Sequence, residues 1–258
     1  MYLSCLLINT GNDPDRPRPA RVWLRNLYRV HQRLSMAFPS GESKNADPYF
    51  LQPFDPASFT QALNNGEKRS PGRGFLFRVD HSSNGRSVIL VQSAIIPDWA
   101  YAFQNTEFLA AQPQVRPFNP QFQPGAQLRF RLLANPTKKI GTVQKSERTN
   151  PNPAEPLTKK QLNGHRRFVP NDQLDAWLES RAETSGFRLL PPVTVVPGYL
   201  LALKNKDSEK GAGTRFRSAL YSGVLSVEDP ATFRQTLIQG IGPAKAFGFG
   251  LLSVAPIS

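Results

Sequence analysis

Residues 74–92 read GFLFRVDHSSNGRSVILVQ, two apolar runs on either side of a short polar bridge. Phe75 to Val79 and Ser87 to Gln92 hold the aromatic and β-branched residues that favour strands, and Asn84-Gly85 supplies the positive-φ pair of a tight hairpin. The stretch predicts two antiparallel strands. What precedes it sets the unit they belong to. Tyr2 to Ile8 is an apolar run of strand length that ends at the turn-forming Asn9-Thr10-Gly11-Asn12-Asp13-Pro14. Trp23, Leu27, Val30, Leu34 and Phe38 then recur at steps of four, three, four and four, one face of a single amphipathic helix that Pro39 ends. Residues 40–72, rich in Pro, Asn, Gly and Ser, read as a long connection with one short helix near Ala57 to Leu63. The first half is therefore strand, helix, strand, strand, and the pattern decides nothing beyond Pro97.

The second half repeats that order. Leu128 to Leu133 reads as a strand with one basic face, and Asn171-Asp172 can cap a helix through Leu174, Trp177 and Leu178 to about Glu183. Val193 to Leu203 and Arg215 to Val227 read as strands. Asp229-Pro230 starts a helix through Phe233 and Leu237, and Leu251 to Ala255 forms the last strand. Strand, helix, two strands, helix, strand is the ferredoxin-like order. The fold class expected is α+β, with two such βαββαβ (RRM-like) units in tandem. The expected bounds are 1–111 and 126–258, joined by a proline-rich linker at 112–125 that carries four prolines.

Charge narrows the partners. Thirty-two Lys and Arg against 19 Asp and Glu leave a formal net charge of +13 over 258 residues, which suits a polyanion. A single cysteine, Cys5, excludes a disulfide framework and any cysteine-built metal site, and three scattered histidines argue against a histidine-built one. No apolar run approaches the roughly 20 residues that span a bilayer, and the start lacks the basic leader of a signal peptide. The expectation is a soluble, cytoplasmic nucleic-acid binder with no membrane partner, no metal and no cofactor.

Basic residues gather at Arg16, Arg18, Arg21, Arg25, Arg29 and Arg33, at Arg129, Arg131, Lys138 and Lys139, and at Lys159, Lys160, Arg166 and Arg167. One such cluster is ordinarily a solvated face, but three without compensating acids describe a nucleic-acid surface. Helix-turn-helix spacing and zinc-finger ligands are missing. Arg73-Gly74-Phe75-Leu76-Phe77 only approaches the aromatic RNP1 pattern, which favours backbone recognition over base stacking on the sheet. The segment Gly240-Ile-Gly-Pro-Ala-Lys-Ala-Phe-Gly-Phe-Gly250 matches neither a Walker A loop nor a dinucleotide fingerprint. Gly242, Gly248 and Gly250 with Lys245 read as a place where bare backbone N–H groups face an anion. His31 lies at the border of the apolar helical stripe, with Tyr28 three residues before it and Ser35 four after. On pattern alone the pair reads as an ordinary boundary histidine and tyrosine. His81 and His165 read as solvated loop residues, His165 within reach of RNA beside Arg166 and Arg167.

Taken together, MYLS at the start, LYRVHQRLSMAFP at 27–39, RGFLFRVD and VILVQS, LRFRLLANPTK at 128–138, GHRRFVP at 164–170 and GIGPAKAFGFGLLSVAP at 240–256 resemble the CasE (Cse3) family. These are the repeat-processing endoribonucleases of type I-E CRISPR systems. The resemblance spans the chain and is weakest over residues 40–70. It implies two ferredoxin-like domains that bind the stem-loop of CRISPR repeat RNA and cut once, without metal, at the 3′ base of the stem. It implies a protein that is monomeric when free and stays with the mature guide among other Cascade subunits. The family's catalytic histidine falls on His31 and its tyrosine on Tyr28. Where some relatives have a lysine five residues after the histidine, this chain has Met36, and Arg33 is a candidate replacement. A non-catalytic RNA scaffold of the same fold and a duplex-DNA binder remain as rival readings.

Overall fold

A computed structural model describes residues 1–12, 18–38, 75–81, 85–140, 165–202 and 214–257. The first sheet contains β1 (Tyr2–Asn9), β2 (Phe75–His81), β3 (Arg86–Ser93) and β4 (Gln114–Pro117), in the order β2-β3-β1-β4 and antiparallel throughout. Helices α1 (Pro19–Leu24) and α2 (Leu27–Ser35) follow β1, and α3 (Trp99–Phe103) follows β3. The second sheet contains β5 (Gln127–Ala134), β8 (Phe187–Ala202), β9 (Thr214–Val227) and β10 (Leu252–Pro256), in the order β10-β5-β9-β8. Helix α4 (Leu174–Glu183) and helix α5 (Pro230–Gln239) complete it, and a two-stranded ribbon, β6 (Thr137–Ile140) with β7 (His165–Phe168), is inserted after β5. Both sheets thus carry the fourth, first, third and second strands of a βαββαβ unit in that order, the tandem ferredoxin-like architecture.

Several local readings change. The expected single helix is two, because Asn26 takes an extended conformation (φ −115°, ψ 95°) and its side chain accepts a hydrogen bond from the Tyr28 N–H at 3.2 Å. Asparagine satisfies an orphan donor at a helix start, so it restarts the helix there. The apolar stripe survives the break: Trp23, Leu27, Val30 and Leu34 are buried and Phe38 packs at the rim of the first core. Asn171 and Asp172 do not cap α4 with their side chains; they form a 3₁₀ turn (Asn171–Gln173) leading into it. Asp229 does cap α5, accepting from the N–H groups of Ala231 and Thr232. The stretch 112–125 read as a linker carries β4, which pairs along β1, so the chain crosses between the sheets after Pro117. The short helix expected near Ala57 to Leu63 lies outside the described residues.

Each sheet packs one face on its helices. Leu6, Ile8, Phe77, Ile89 and Val91 meet Val30 and Leu34 in the first core, while Phe130, Leu132, Tyr221 and Leu225 meet Trp177, Leu178, Phe233 and Leu237 in the second. Burying each such side chain contributes about 1.5–3 kcal/mol before entropic costs.

The two units meet along β2. A half-buried strand alternates between inward and outward residues, yet Leu76, Phe77 and Arg78 are all buried in succession. The reason is the second unit. Leu76 lies against Gly240, Phe77 against Gly248, and Arg78 reaches Ser253 Oγ at 2.8 Å and the Arg131 carbonyl at 3.2 Å. Gln92 on β3 adds a hydrogen bond to the Leu237 carbonyl at the end of α5. Arg78 is 4% exposed, and its charge is balanced by Asp80, which accepts from Nε and Nη2 in a fork.

Removing one partner of a buried ion pair exposes the desolvation cost of the other. Arg78→Met should therefore lower unfolding stability by about 3 kcal/mol, the bottom of the usual range for such losses, because Arg131 stands near enough to share the Asp80 charge. Urea denaturation of the two proteins measures this, and an unchanged midpoint would show that the clamp contributes nothing.

Candidate active site and nucleic-acid interface

Helix α2 sets His31 over β2. Its imidazole lies nearly parallel to the Phe75 ring, centroids 5.2 Å apart and planes at 21°, and to the Phe77 ring at 6.2 Å and 25°. Phe38 stacks on Phe75 in turn. The aromatic pair that approached an RNP1 pattern is thus used to hold the histidine. Stacking fixes the plane of an imidazole while leaving its edge for proton transfer. The His31 Nδ1 atom is buried and the residue as a whole is half-buried. Tyr28 is half-buried one turn earlier on the same helix. The Ser35 hydroxyl donates instead to the His31 carbonyl at 2.7 Å, so it is engaged with the helix backbone.

The glycine-rich segment packs against α2 and β2 from the other unit, with a single 3₁₀ turn at Lys245–Phe247. The N–H groups of Gly248 and Gly250 turn inward, where the sequence suggested that they face an anion. Gly250 N–H donates to the Leu133 carbonyl at 2.8 Å and Gly248 N–H to the Lys245 carbonyl at 3.2 Å, while Gly250 O accepts from Ile241 N–H at 2.9 Å. Glycine is needed for conformation and closeness instead. Gly248 has φ +80°, and a Cβ there would stand 3.1 Å from Phe77 Cε2, while one at Gly250 (φ +87°) would stand 2.7 Å from the Ile241 carbonyl oxygen. Gly242 lies against the Trp177 ring. Through Phe77, the loop of the second unit backs the ring stack that carries His31. Lys245 is half-buried, and that desolvation pulls its ammonium below the usual lysine range. A cleft of about 190 Å³ at this seam is lined by Leu27, Asp80, Arg131, Leu200, Phe247 and Gly248, the first of these one turn before His31.

The basic residues divide by what they face. Arg129 and Arg131 are exposed on the side of β5 away from the helices, with Arg131 Nη2 at 3.6 Å from Asp80. On the β6–β7 ribbon Lys138 stands directly across from Arg167 and Lys139 across from Arg166. Like charges in directly opposed positions destabilise a ribbon. The ribbon carries two such pairs on four residues, with all four side chains exposed. Lys138 Nζ also donates to Gln173 Oε1 at 3.1 Å, and Arg166 Nη1 to Thr137 Oγ1 at 3.3 Å. Lys160 lies outside the described residues, and of His165 only its place on β7 is described.

Arg33 is not beside His31. Two residues on, it points towards α3, where Nη1 donates to the Ala102 carbonyl at 3.0 Å and the guanidinium sits 6.0 Å from the Phe108 centroid. Desolvation there holds its pKa below the usual arginine range. Met36 packs at the edge of the first core. Neither brings a positive charge to the imidazole. Sequence reasoning missed Arg78, Phe75 and Phe77 as supports of the seam. The signal available was an arginine in an apolar strand with an aspartate two residues on, the same-face spacing of a strand.

Gly248→Ala should cost about 1–2 kcal/mol of stability, since an L-residue resists the left-handed region and the new methyl presses on Phe77. Thermal or urea unfolding reads the loss. Wild-type stability would mean that the loop relaxes freely.

Over residues 1–256 the chain matches a family model described as CRISPR associated protein. It is 32% identical over 264 residues to the CRISPR-associated endoribonuclease Cse3 of Thermus thermophilus, covering 99% of this chain and all of that protein. It is 28% identical over 262 residues to the CRISPR system Cascade subunit CasE of Escherichia coli strain K12, covering all of both chains. Among solved structures it is similar to CRISPR endoribonuclease Cse3 bound to a 19-nucleotide RNA, with a TM-score of 0.67 and 31% identity over 99% of this chain and all of that one. With its tandem sheets, its histidine over β2 and its glycine-rich loop, the chain belongs to the CRISPR associated protein family.

Proposed function

We propose that this protein is a CRISPR repeat endoribonuclease: it holds a stem-loop of the repeat transcript, cleaves at the 3′ base of the stem, and remains with the guide as a Cascade subunit. The names of its full-length relatives support this reading. The observation that carries it is the His31 imidazole, fixed face-on against Phe75 and Phe77 at the seam of two basic units. An imidazole titrates near neutrality, so one held at a cationic surface suits proton transfer on RNA.

In the proposed reaction the 2′-hydroxyl attacks the adjacent phosphorus. The new P–O2′ bond forms, the P–O5′ bond breaks, and the products are a 2′,3′-cyclic phosphate and a 5′-hydroxyl. One proton leaves the 2′-oxygen and one reaches the departing 5′-oxygen, and His31 serves one of these transfers. Since its Nδ1 is buried, Nε2 is the atom assigned to it. Tyr28 donates a hydrogen bond that orients the reacting ribose or phosphate. Arg129, Arg131, Lys138, Lys139, Arg166 and Arg167 hold phosphates, Lys160 adds to them from outside the described residues, and Lys245 stands beside α2. Gly242, Gly248 and Gly250 shape the loop that backs the site. Among the described residues no three His, Cys, Asp or Glu side chains gather as a ligand set. Cleavage is proposed to need no metal, and full activity in excess EDTA is the expected outcome; a strict requirement for added Mg²⁺ would overturn the mechanism.

His31→Ala should cut the single-turnover cleavage rate by about 10²–10⁴-fold while leaving affinity for repeat RNA within about twofold, because proton transfer acts in the transition state and binding is dominated by phosphate contacts. A 2′-deoxy residue just upstream of the cut should bind and stay uncut. Near-normal cleavage by His31→Ala would remove His31 from the mechanism. Affinity should also fall steeply with salt, by roughly 0.7–0.9 in log–log slope for each phosphate neutralised. A flat salt response would rule out the phosphate-binding surface.

A further inference from the structure

On the face of the β8–β9 arm opposite the catalytic seam, Tyr199 stands 52% exposed. The Arg215 guanidinium packs 3.8 Å from its ring centroid, and that of Arg217, its direct cross-strand partner, lies at 5.8 Å. Beside the ring is a cleft of about 270 Å³ whose lining includes Pro136, Val169, Leu174, Tyr199, Arg217 and Ser218. Its apolar floor is the root of the β6–β7 ribbon: Pro136 immediately precedes β6 and Val169 immediately follows β7. The lining contains no carboxylate, and the nearest strands carry the four opposed cations of the ribbon.

These features have one chemistry in common. A tyrosine ring stacks with a planar ring, arginine guanidinium groups stack on or hydrogen-bond to a nucleobase and neutralise its phosphate, and an apolar floor excludes water beneath. The cleft has room for one base and not for a duplex. The ribbon, with its exposed opposed charges, suits the backbone of a paired stem. Arg215 covers part of the aromatic ring, which keeps it oriented, while over half of Tyr199 stays open to a ligand.

Resting on the reading of the chain as a repeat-RNA endoribonuclease, we propose that Tyr199, Arg215 and Arg217 form a pocket for an unpaired nucleobase of the bound RNA, from its loop or from a strand flanking the stem. The pocket sets specificity for that base and takes no part in cleavage.

The test is fluorescence anisotropy with three RNAs built on the repeat of the protein's own genome: the stem-loop with both flanks, the same RNA with abasic loop nucleotides, and the stem-loop with its flanks removed. Tyr199→Ala should weaken binding of the first RNA roughly tenfold, the effect of losing one base–aromatic stack, and Tyr199→Phe should stay close to wild type. The Tyr199→Ala effect should vanish for either the abasic-loop or the flank-trimmed RNA, and that RNA identifies the source of the base. Unchanged affinity in Tyr199→Ala, or an equal loss with all three RNAs, would overturn the pocket while leaving the endoribonuclease reading standing. A wild-type protein that binds none of the three overturns that reading and the pocket with it.

Discussion

A guanidinium with almost no access to water holds this molecule together. Arg78 projects from β2 into the second unit, and its position is tolerable only because Asp80, Ser253 and the Arg131 carbonyl surround it with acceptors. Leu76 and Phe77, the residues just before it, are pinned between the units with it. Since Phe77 lies against the His31 ring on one side and against Gly248 on the other, the placement of the proposed proton-transfer group follows from the docking of two separately folded sheets. A buried charge is costly unless fully paired, so the seam tolerates few alternative arrangements. That restriction supplies the rigidity a proton transfer requires.

Much of the architecture was legible in the sequence. The hairpin at 74–92 and the stripe through Trp23, Leu27, Val30 and Leu34 are short-range patterns with a period, and periods survive folding. The broken helix at Asn26 was not legible, because asparagine inside a periodic run reads as a mild misfit until its side chain is seen to cap Tyr28. Strand β4 was missed for a related reason: four residues among prolines have no period of their own and owe their conformation to β1. At the candidate site, His31 and Tyr28 were identified by resemblance, since a histidine at the edge of a stripe has no distinctive local signature. The stack of Phe75 and Phe77 beneath it depends on residues over 40 positions away in sequence, and only the fold brings them together. The glycines were recognised as special but for the wrong reason. Composition shows that backbone must come close to something; it cannot show that the something is Phe77 and a carbonyl oxygen rather than an anion.

Charge is distributed in two manners. Arg78 and Arg33 are satisfied internally, by a carboxylate and by a main-chain carbonyl. Lys138, Lys139, Arg166 and Arg167 are opposed to one another on a thin ribbon, an arrangement that folding alone disfavours. The net charge of +13 therefore mixes buried or half-buried structural cations with exposed cations set opposite one another, and only the fold and the cross-strand register separate them.

The contact between Phe77 and Gly248 also bears on how such chains can diverge and be recombined. Two ferredoxin-like halves in tandem look like interchangeable modules, yet the histidine belongs to one half and the glycine loop behind its ring stack to the other. A chimera that joins the first half of one relative to the second half of another inherits a mismatched seam unless β2 and the glycine loop come from the same parent. The unit of inheritance is the joint, and substitutions on its two sides are constrained to change together.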